Sequence, residues 1–372
     1  MKKLTVFAVA LALALPACSK PFHAPPPLKS TPMPSGAALK PYAGPSNARP
    51  QGLAQIGGTI FVSLSNQRDD FSIGGPGLVA TLIPSTGAVG LIDLGGTDEK
   101  QCQNPGFVRA DGNKVYLPCS GDFSGTDSGR ALVEVDPAGA GSVTRRAAIP
   151  SGWVPNGIAV GPAKIWIADS LTTSLISVDR TTFMAADGAG TAPAIKLACD
   201  SPQQKFSYLS DAAIISGDLW ALCASDVEGI LFRLDAQSGA AKGMVKVGPN
   251  PTELTATGDG RIAVLNAGDQ TLSLVTYAAN TLTAQAAFTF SSTTSALQDI
   301  RARDNFLYTV ASGNNTAQKI DLAAKNGPKL VAEASFANGA GPYQIFPLDD
   351  DQAIVTDRGT NDVAAAVWIA VP

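Results

Sequence analysis

Short apolar runs with a period of two recur along this chain, each closed by a turn former, from about residue 50 to its end. Residues 154–179, VPNGIAVGPAKIWIADSLTTSLISVD, hold the pattern in its clearest form. Pro155-Asn156-Gly157 leads into an apolar run over 158–160, Gly161-Pro162 into a second over 164–168, and Asp169-Ser170 into a third over 175–178. Alternation interrupted by Gly, Pro, Asn and Asp predicts antiparallel strands joined by turns. Aligning on this stretch gives seven units, with first strands opening near Pro50, Pro105, Pro155, Leu209, Pro251, Leu297 and Pro342. Second strands begin at Thr59, Lys114, Lys164, Asp218, Arg261, Phe306 and Ala353, and third strands end at residues such as Asp136, Asp179, Asp235 and Thr276. A less regular fourth run closes several units, as over 194–198 and 244–247.

Units of four short strands, spaced roughly 43–55 residues apart, have the length of a β-propeller blade. The expectation is an all-β fold, a seven-bladed β-propeller with four-stranded antiparallel blades, over residues 49–372. The Pro-x-Gly-Ile-Ala opening and the middle "ADS…SLISVD" resemble the YVTN-type and NHL-type propeller repeats. A small residue in each first strand lets neighbouring inner strands crowd the axis, and the Asp ending a third strand starts a turn. The last unit runs out near residue 371, so its outermost strand is expected from residues 37–43. Aromatics recur in register in the second strands, at Phe61, Tyr116, Trp166, Trp220 and Tyr308. They read as spacers between stacked sheets.

The alignment also pairs the cysteines. Cys102 and Cys199 lie in the connections leading into units two and four, and Cys119 and Cys223 follow the second strands of those same units. In a propeller these two places share a face, which predicts Cys102–Cys119 and Cys199–Cys223, each contributing about 3 kcal/mol by loop entropy. The Cys119/Cys223 position is held elsewhere by Asp169, Asn266 and Asp357, which are expected to clasp the incoming connection by hydrogen bonds.

The N-terminal residues carry the expectation that the repeats are exported. Lys2 and Lys3 precede an apolar run from Leu4 to Leu15, too short to span a bilayer, that ends in Leu15-Pro16-Ala17-Cys18. This resembles the bacterial lipobox and implies a signal peptide over 1–17, with Cys18 as a lipid-bearing N-terminus. Residues 19–49 hold eight prolines and little apolar periodicity, so 18–48 read as a solvated tether. Ser19 after the lipidated Cys suggests the outer membrane of a Gram-negative envelope, and an even number of further cysteines suits an exported protein.

Chemistry is harder to find. The only histidine, His23, lies in the tether, so the repeats hold no Ser-His-Asp triad, no histidine acid–base pair and no histidine-bearing zinc site. Histidine-dependent propellers, the streptogramin-type lyases among them, are thereby disfavoured. The net charge of −4 without a basic cluster argues against nucleic acid. At the third position of the first strands the alignment places Gly52, Phe107, Gly157, Asp211, Glu253, Gln298 and Gln344. Asp211 and Glu253, with amide oxygens from Gln298, Gln344 or Asn156, form a candidate set for a hard cation at the channel mouth. Gluconolactonase-like propellers use a related Glu/Asn/Asn/Asp arrangement, and the stretch from Trp153 to Gly157 looks like one of their strand openings. The connections over 65–77 and 120–129 are long and carry Arg68, Asp69, Asp70, Asp122 and Asp127; with Trp153 they make a candidate binding face. Two readings follow. One is a lipid-anchored, non-catalytic binding module without a cofactor, whose partner is an envelope protein, peptide or glycan. The other is a lactonase-type hydrolase using a divalent metal.

Overall fold

The seven repeats form seven antiparallel sheets arranged in a ring, a seven-bladed β-propeller with no helix among the described residues. This computed structural model describes residues 30–34, 46–95, 102–122, 129–138, 141–150, 152–184, 194–199, 203–278, 281–291, 294–366 and 368–371. The signal, Cys18, His23, the segment 37–43 and Asp127 lie outside them. Blade 1 contains Pro50–Ile56, Thr59–Leu64, Leu78–Ile83 and Ala88–Asp93; blade 4 contains Ser207–Ile215, Asp218–Ser225, Gly229–Asp235 and Ala241–Val247. The innermost strands of the others are Arg109–Asp111, Pro155–Val160, Pro251–Ala256, Leu297–Arg303 and Pro342–Pro347.

The ring closes differently from the expectation. Thr31–Pro32, not a segment near 37–43, pairs with Val363 and Asp362 to complete blade 7. Two residues, one of them a proline confined to an edge strand, leave no periodic signal in the sequence. Met33, 3% exposed, anchors the added strand in the core with Ile354 and Val363. At the other end Ile369–Ala370 crosses to the outer edge of blade 6, where it pairs with Glu333 and Ala332. Both added strands cover sheet edges that would otherwise be bare.

The aromatic spacers are where the alignment puts them. Each is buried, and each belongs to a core shared with the next blade: Phe61 with Val115 and Leu117, Tyr116 with Ile165 and Ile167, Trp166 with Leu219 and Ala221. Trp166, Trp220 and Tyr308 donate their polar tips to carbonyls, as where Trp166 Nε1 donates to Ala236 at 2.8 Å. Both expected disulfides are present, Cys102–Cys119 and Cys199–Cys223, with Cα separations of 5.4 and 6.0 Å. The carboxylates at the same position do clasp. Asp169 Oδ1 accepts from the Val154 amide at 2.9 Å, and Asp357 Oδ1 from the Gly341 amide at 2.9 Å. Asn266 does not; its amide donates to Thr271 and Ser273 within its own blade.

Around the axis the inner strands touch. A Cβ on Gly52 would lie 2.6 Å from the Val108 nitrogen, and one on Gly157 2.6 Å from the Ala212 nitrogen, so at both places glycine is the residue that lets two backbones meet. Gly106 has open space, its nearest such neighbour being the Pro118 carbonyl at 3.9 Å. Gly157→Ala is therefore expected to cost about 1–3 kcal/mol in urea denaturation, while Gly106→Ala, the matched control, leaves the midpoint nearly unchanged.

Candidate functional site

Each inner strand carries a bulge at its start, and the residue after the bulge faces the axis. In chain order these are Gly52, Phe107, Gly157, Asp211, Glu253, Asp299 and Gln344. Asp299 therefore stands where the alignment places Gln298. The slip is one residue, which turns the side chain to the other face of the strand. The Gln298 amide instead donates to the Ala296 carbonyl and Ser312 Oγ. Three of the axial side chains cap the next blade: Asp211 Oδ2 accepts from Leu254 N–H at 3.2 Å, Asp299 Oδ2 from Ile345 N–H at 2.8 Å, and Gln344 Oε1 from Leu53 N–H at 3.0 Å.

Glu253 accepts no backbone hydrogen bond and meets arginines instead. Arg301 Nη1 lies 2.7 Å from Glu253 Oε1, and Arg301 Nη2 lies 3.3 Å from Asp299 Oδ1. Arg109 Nη2 reaches Asp211 Oδ1 at 3.4 Å and Glu253 Oε1 at 3.5 Å. Three sealed carboxylates thus share two guanidiniums. Burial pushes the Asp211 carboxyl up against the pull of Arg109 and Arg301. Burial also pushes Glu253 well above its usual range; Arg301 opposes this, while the neighbouring Asp299 and Asp211 add to it.

The network plugs the channel. On one side of it lies a cavity of about 350 Å³ bordered by Arg109, Arg301, Ala213 and Leu254. At the mouth lies a cleft of about 300 Å³ spanning blades 7, 1, 2 and 3. Asn156 lines this mouth cleft, and its amide donates to the Ser210 carbonyl at 2.8 Å. Gln67 and Phe71, from the long connection of blade 1, form its lip. Arg49 and Arg358 complete the wall, with Arg49 over the Phe71 ring (4.4 Å to its centroid) and Arg358 over Tyr343 (3.3 Å).

The sequence candidates therefore separate. Asp211, Glu253 and Gln344 are buried and held by the fold itself, and Trp153 is half-buried against the core between blades 2 and 3. Asn156 alone borders the mouth. Among the described residues no group of three or more His, Cys, Asp or Glu is arranged to hold a metal. The donor set does not fit a hard cation, because two guanidiniums already lie among the carboxylates and backbone N–H groups hold Asp211 and Asp299. Four arginines escaped sequence reasoning, though the alignment carries a signal for three. Arg109 and Arg301 share a column with Ala54, Ala159, Ala213, Thr255 and Phe346, and Arg358 a column with Ser65, Ser120, Ser170, Ala224, Ala267 and Ser312.

No protein-family model matches the chain, and no curated protein matches it in sequence. Solved structures do match in fold. A virginiamycin B lyase from Staphylococcus aureus, in a catalytically inactive variant with a histidine replaced by alanine and solved with quinupristin, is 13% identical with a TM-score of 0.63, covering 92% of this chain and 99% of its own. A putative 6-phosphogluconolactonase from Bacteroides fragilis is 17% identical, TM-score 0.61, covering 86% and 95%. The periplasmic gluconolactonase PpgL of Pseudomonas aeruginosa is 13% identical, TM-score 0.57, covering 81% and 96%. At these identities the likeness is one of propeller architecture.

The raised pKa of Glu253 gives the plug a pH dependence. Between the ordinary glutamate value of 4.5 and the raised folded value, the folded chain binds more protons at Glu253 than the unfolded chain does, so stability falls as pH rises, with a slope that approaches about 1.4 kcal/mol per pH unit. Thermal unfolding followed upward from pH 4.5 is expected to show this fall in the wild type and a flatter profile in Glu253→Gln, which keeps the shape without the proton. Identical profiles would contradict a raised Glu253 pKa.

Proposed function

We propose that this protein is a ligand-binding propeller of the bacterial cell envelope, held to a membrane by lipid on Cys18 and recognising a protein, peptide or glycan at its mouth. The observation that carries the reading is the contrast between the axis and the mouth. At the axis Asp211 and Asp299 are committed to guanidiniums and to the next blade's N–H, and Glu253 to guanidiniums. At the mouth, polar and aromatic side chains surround an open cleft of about 300 Å³, the small end of the range for ligand pockets. Rigid strands present it, and a long connection extends it, an arrangement suited to recognition.

Two further points support binding over turnover. The lyase neighbour is described as inactive once one histidine is replaced, and this chain has a single histidine, His23. The lactonase reading rests on neighbours of 17% identity or less. Full-length protein is expected to fractionate with membranes, and Cys18→Ser with the soluble material. In a thermal-shift screen of peptides and glycans, a ligand at a hundred times its Kd adds about 2.7 kcal/mol of stability and is expected to be recovered unchanged. Steady hydrolysis of glucono-1,5-lactone, or conversion of any bound ligand, would overturn the non-catalytic reading.

A further inference from the structure

Two guanidiniums at the mouth have no counterpart of opposite charge inside the cleft. Arg145, Arg180, Arg233, Arg261 and Arg301 each hold a carboxylate. Arg358 has no acidic partner among the described residues, and its Nε is buried without a hydrogen bond. The Arg49 Nε is likewise buried and unbonded. Its Nη2 touches the Arg68 carbonyl at 3.3 Å and reaches only Asp69, at 4.0 Å, whose side chain is 97% exposed. Burial lowers the pKa of Arg358, Tyr343 opposes this, and Arg49 adds to it; an anion in the cleft would favour the charged form of both arginines.

The same two residues occupy unexpected places in the repeat. Arg49 takes a left-handed backbone position, φ 44°, that Asn104, Asn250 and Ala296 fill in blades 2, 5 and 6. Asparagine adopts that conformation with little strain, whereas a long side chain adopts it at a cost. Phe71, which supports the Arg49 guanidinium, is itself at φ 65° and 64% exposed. Strain and exposure of this kind persist where the surroundings impose them. Stacking on Phe71 and Tyr343 holds both guanidinium planes still, leaving their N–H edges for a ligand. Phe107, Val154 and Pro155 give the facing wall an apolar surface.

We propose that the cleft between Arg49 and Arg358 binds a small organic oxyanion, a carboxylate or phosphate carried on a body with an apolar face. A planar guanidinium matches either oxyanion with two parallel N–H···O bonds, and two such groups explain a preference for charge over shape. The inference rests on the binding reading and names the chemistry of its ligand.

Isothermal titration of the full chain with benzoate, phenyl phosphate and benzyl alcohol tests it. Benzoate or phenyl phosphate is expected to bind at least tenfold more tightly than the neutral alcohol, and the stronger of the two identifies the oxyanion. Arg358→Gln and Arg49→Gln should each weaken that binding at least tenfold. Arg261→Gln, which removes the same charge from an exposed pair with Asp259, should leave it unchanged, and the Tm of every variant reports folding. Equal binding of benzyl alcohol, no binding of either anion, or unaltered affinity in a folded Arg358→Gln or Arg49→Gln overturns the inference. In that case a neutral peptide or glycan found by thermal shift still leaves the binding reading standing. Conversion of a ligand sinks the binding reading alone, since the charge dependence is read separately.

Discussion

Seven strands that converge on one axis bring the backbones of neighbouring blades together, and the protein manages each meeting in one of two ways. Where the backbones press directly together, glycine is required, as at Gly52 and Gly157. Where they stand apart, an acceptor side chain spans the gap, as Asp211, Asp299 and Gln344 do. The bulge that opens each inner strand aims these side chains inward. The axial ring is thus a satisfaction problem before it is a site.

That solution sets Asp211 and Asp299 beside Glu253, and the arginines follow from it. Buried carboxylates alone would repel and pay heavily for lost water. Arg109 and Arg301 offset that cost from a column where the other blades carry alanine, threonine or, in blade 7, Phe346. Such a network is weak evidence for stability, since apolar replacements of similar volume often serve as well. Its clearer effect is to occupy the axis, while the mouth cleft offers a ligand side chains of blades 7, 1, 2 and 3.

Much of this was legible in the chain. Period-two runs and turn formers gave the blades, the aromatic column gave the inter-blade spacers, and the cysteine positions gave both disulfides because a shared column means a shared face. The clasping role of Asp169 and Asp357 came from the same logic, and Asn266 departed from it because neighbouring hydroxyls, Thr271 and Ser273, accept its amide hydrogens. What was hidden has physical reasons. A bulge shifts register without changing composition, so Gln298 was taken for Asp299. The closing strand at Thr31 was too short to show a period. Arg49 and Arg358 lie in connections, where a charge looks like ordinary solvated surface until the fold shows it half-enclosed.

The closing strand has a further consequence, for when the molecule becomes whole. Ser30 Oγ donates to Asp362 Oδ2 across a sequence separation of 332 residues, and blade 6 takes its last strand from residues 369–370. Six blades can assemble from local hairpins as the chain emerges, but the seventh waits for Thr31 and Pro32 to meet Val363 and Asp362. Contacts of this range are slow to form because loop-closure entropy precedes their reward. A chain without Asp362 and Val363 keeps six blades and most of its core and still fails to become a ring, so closure reports that both partners of one distant pairing have been made.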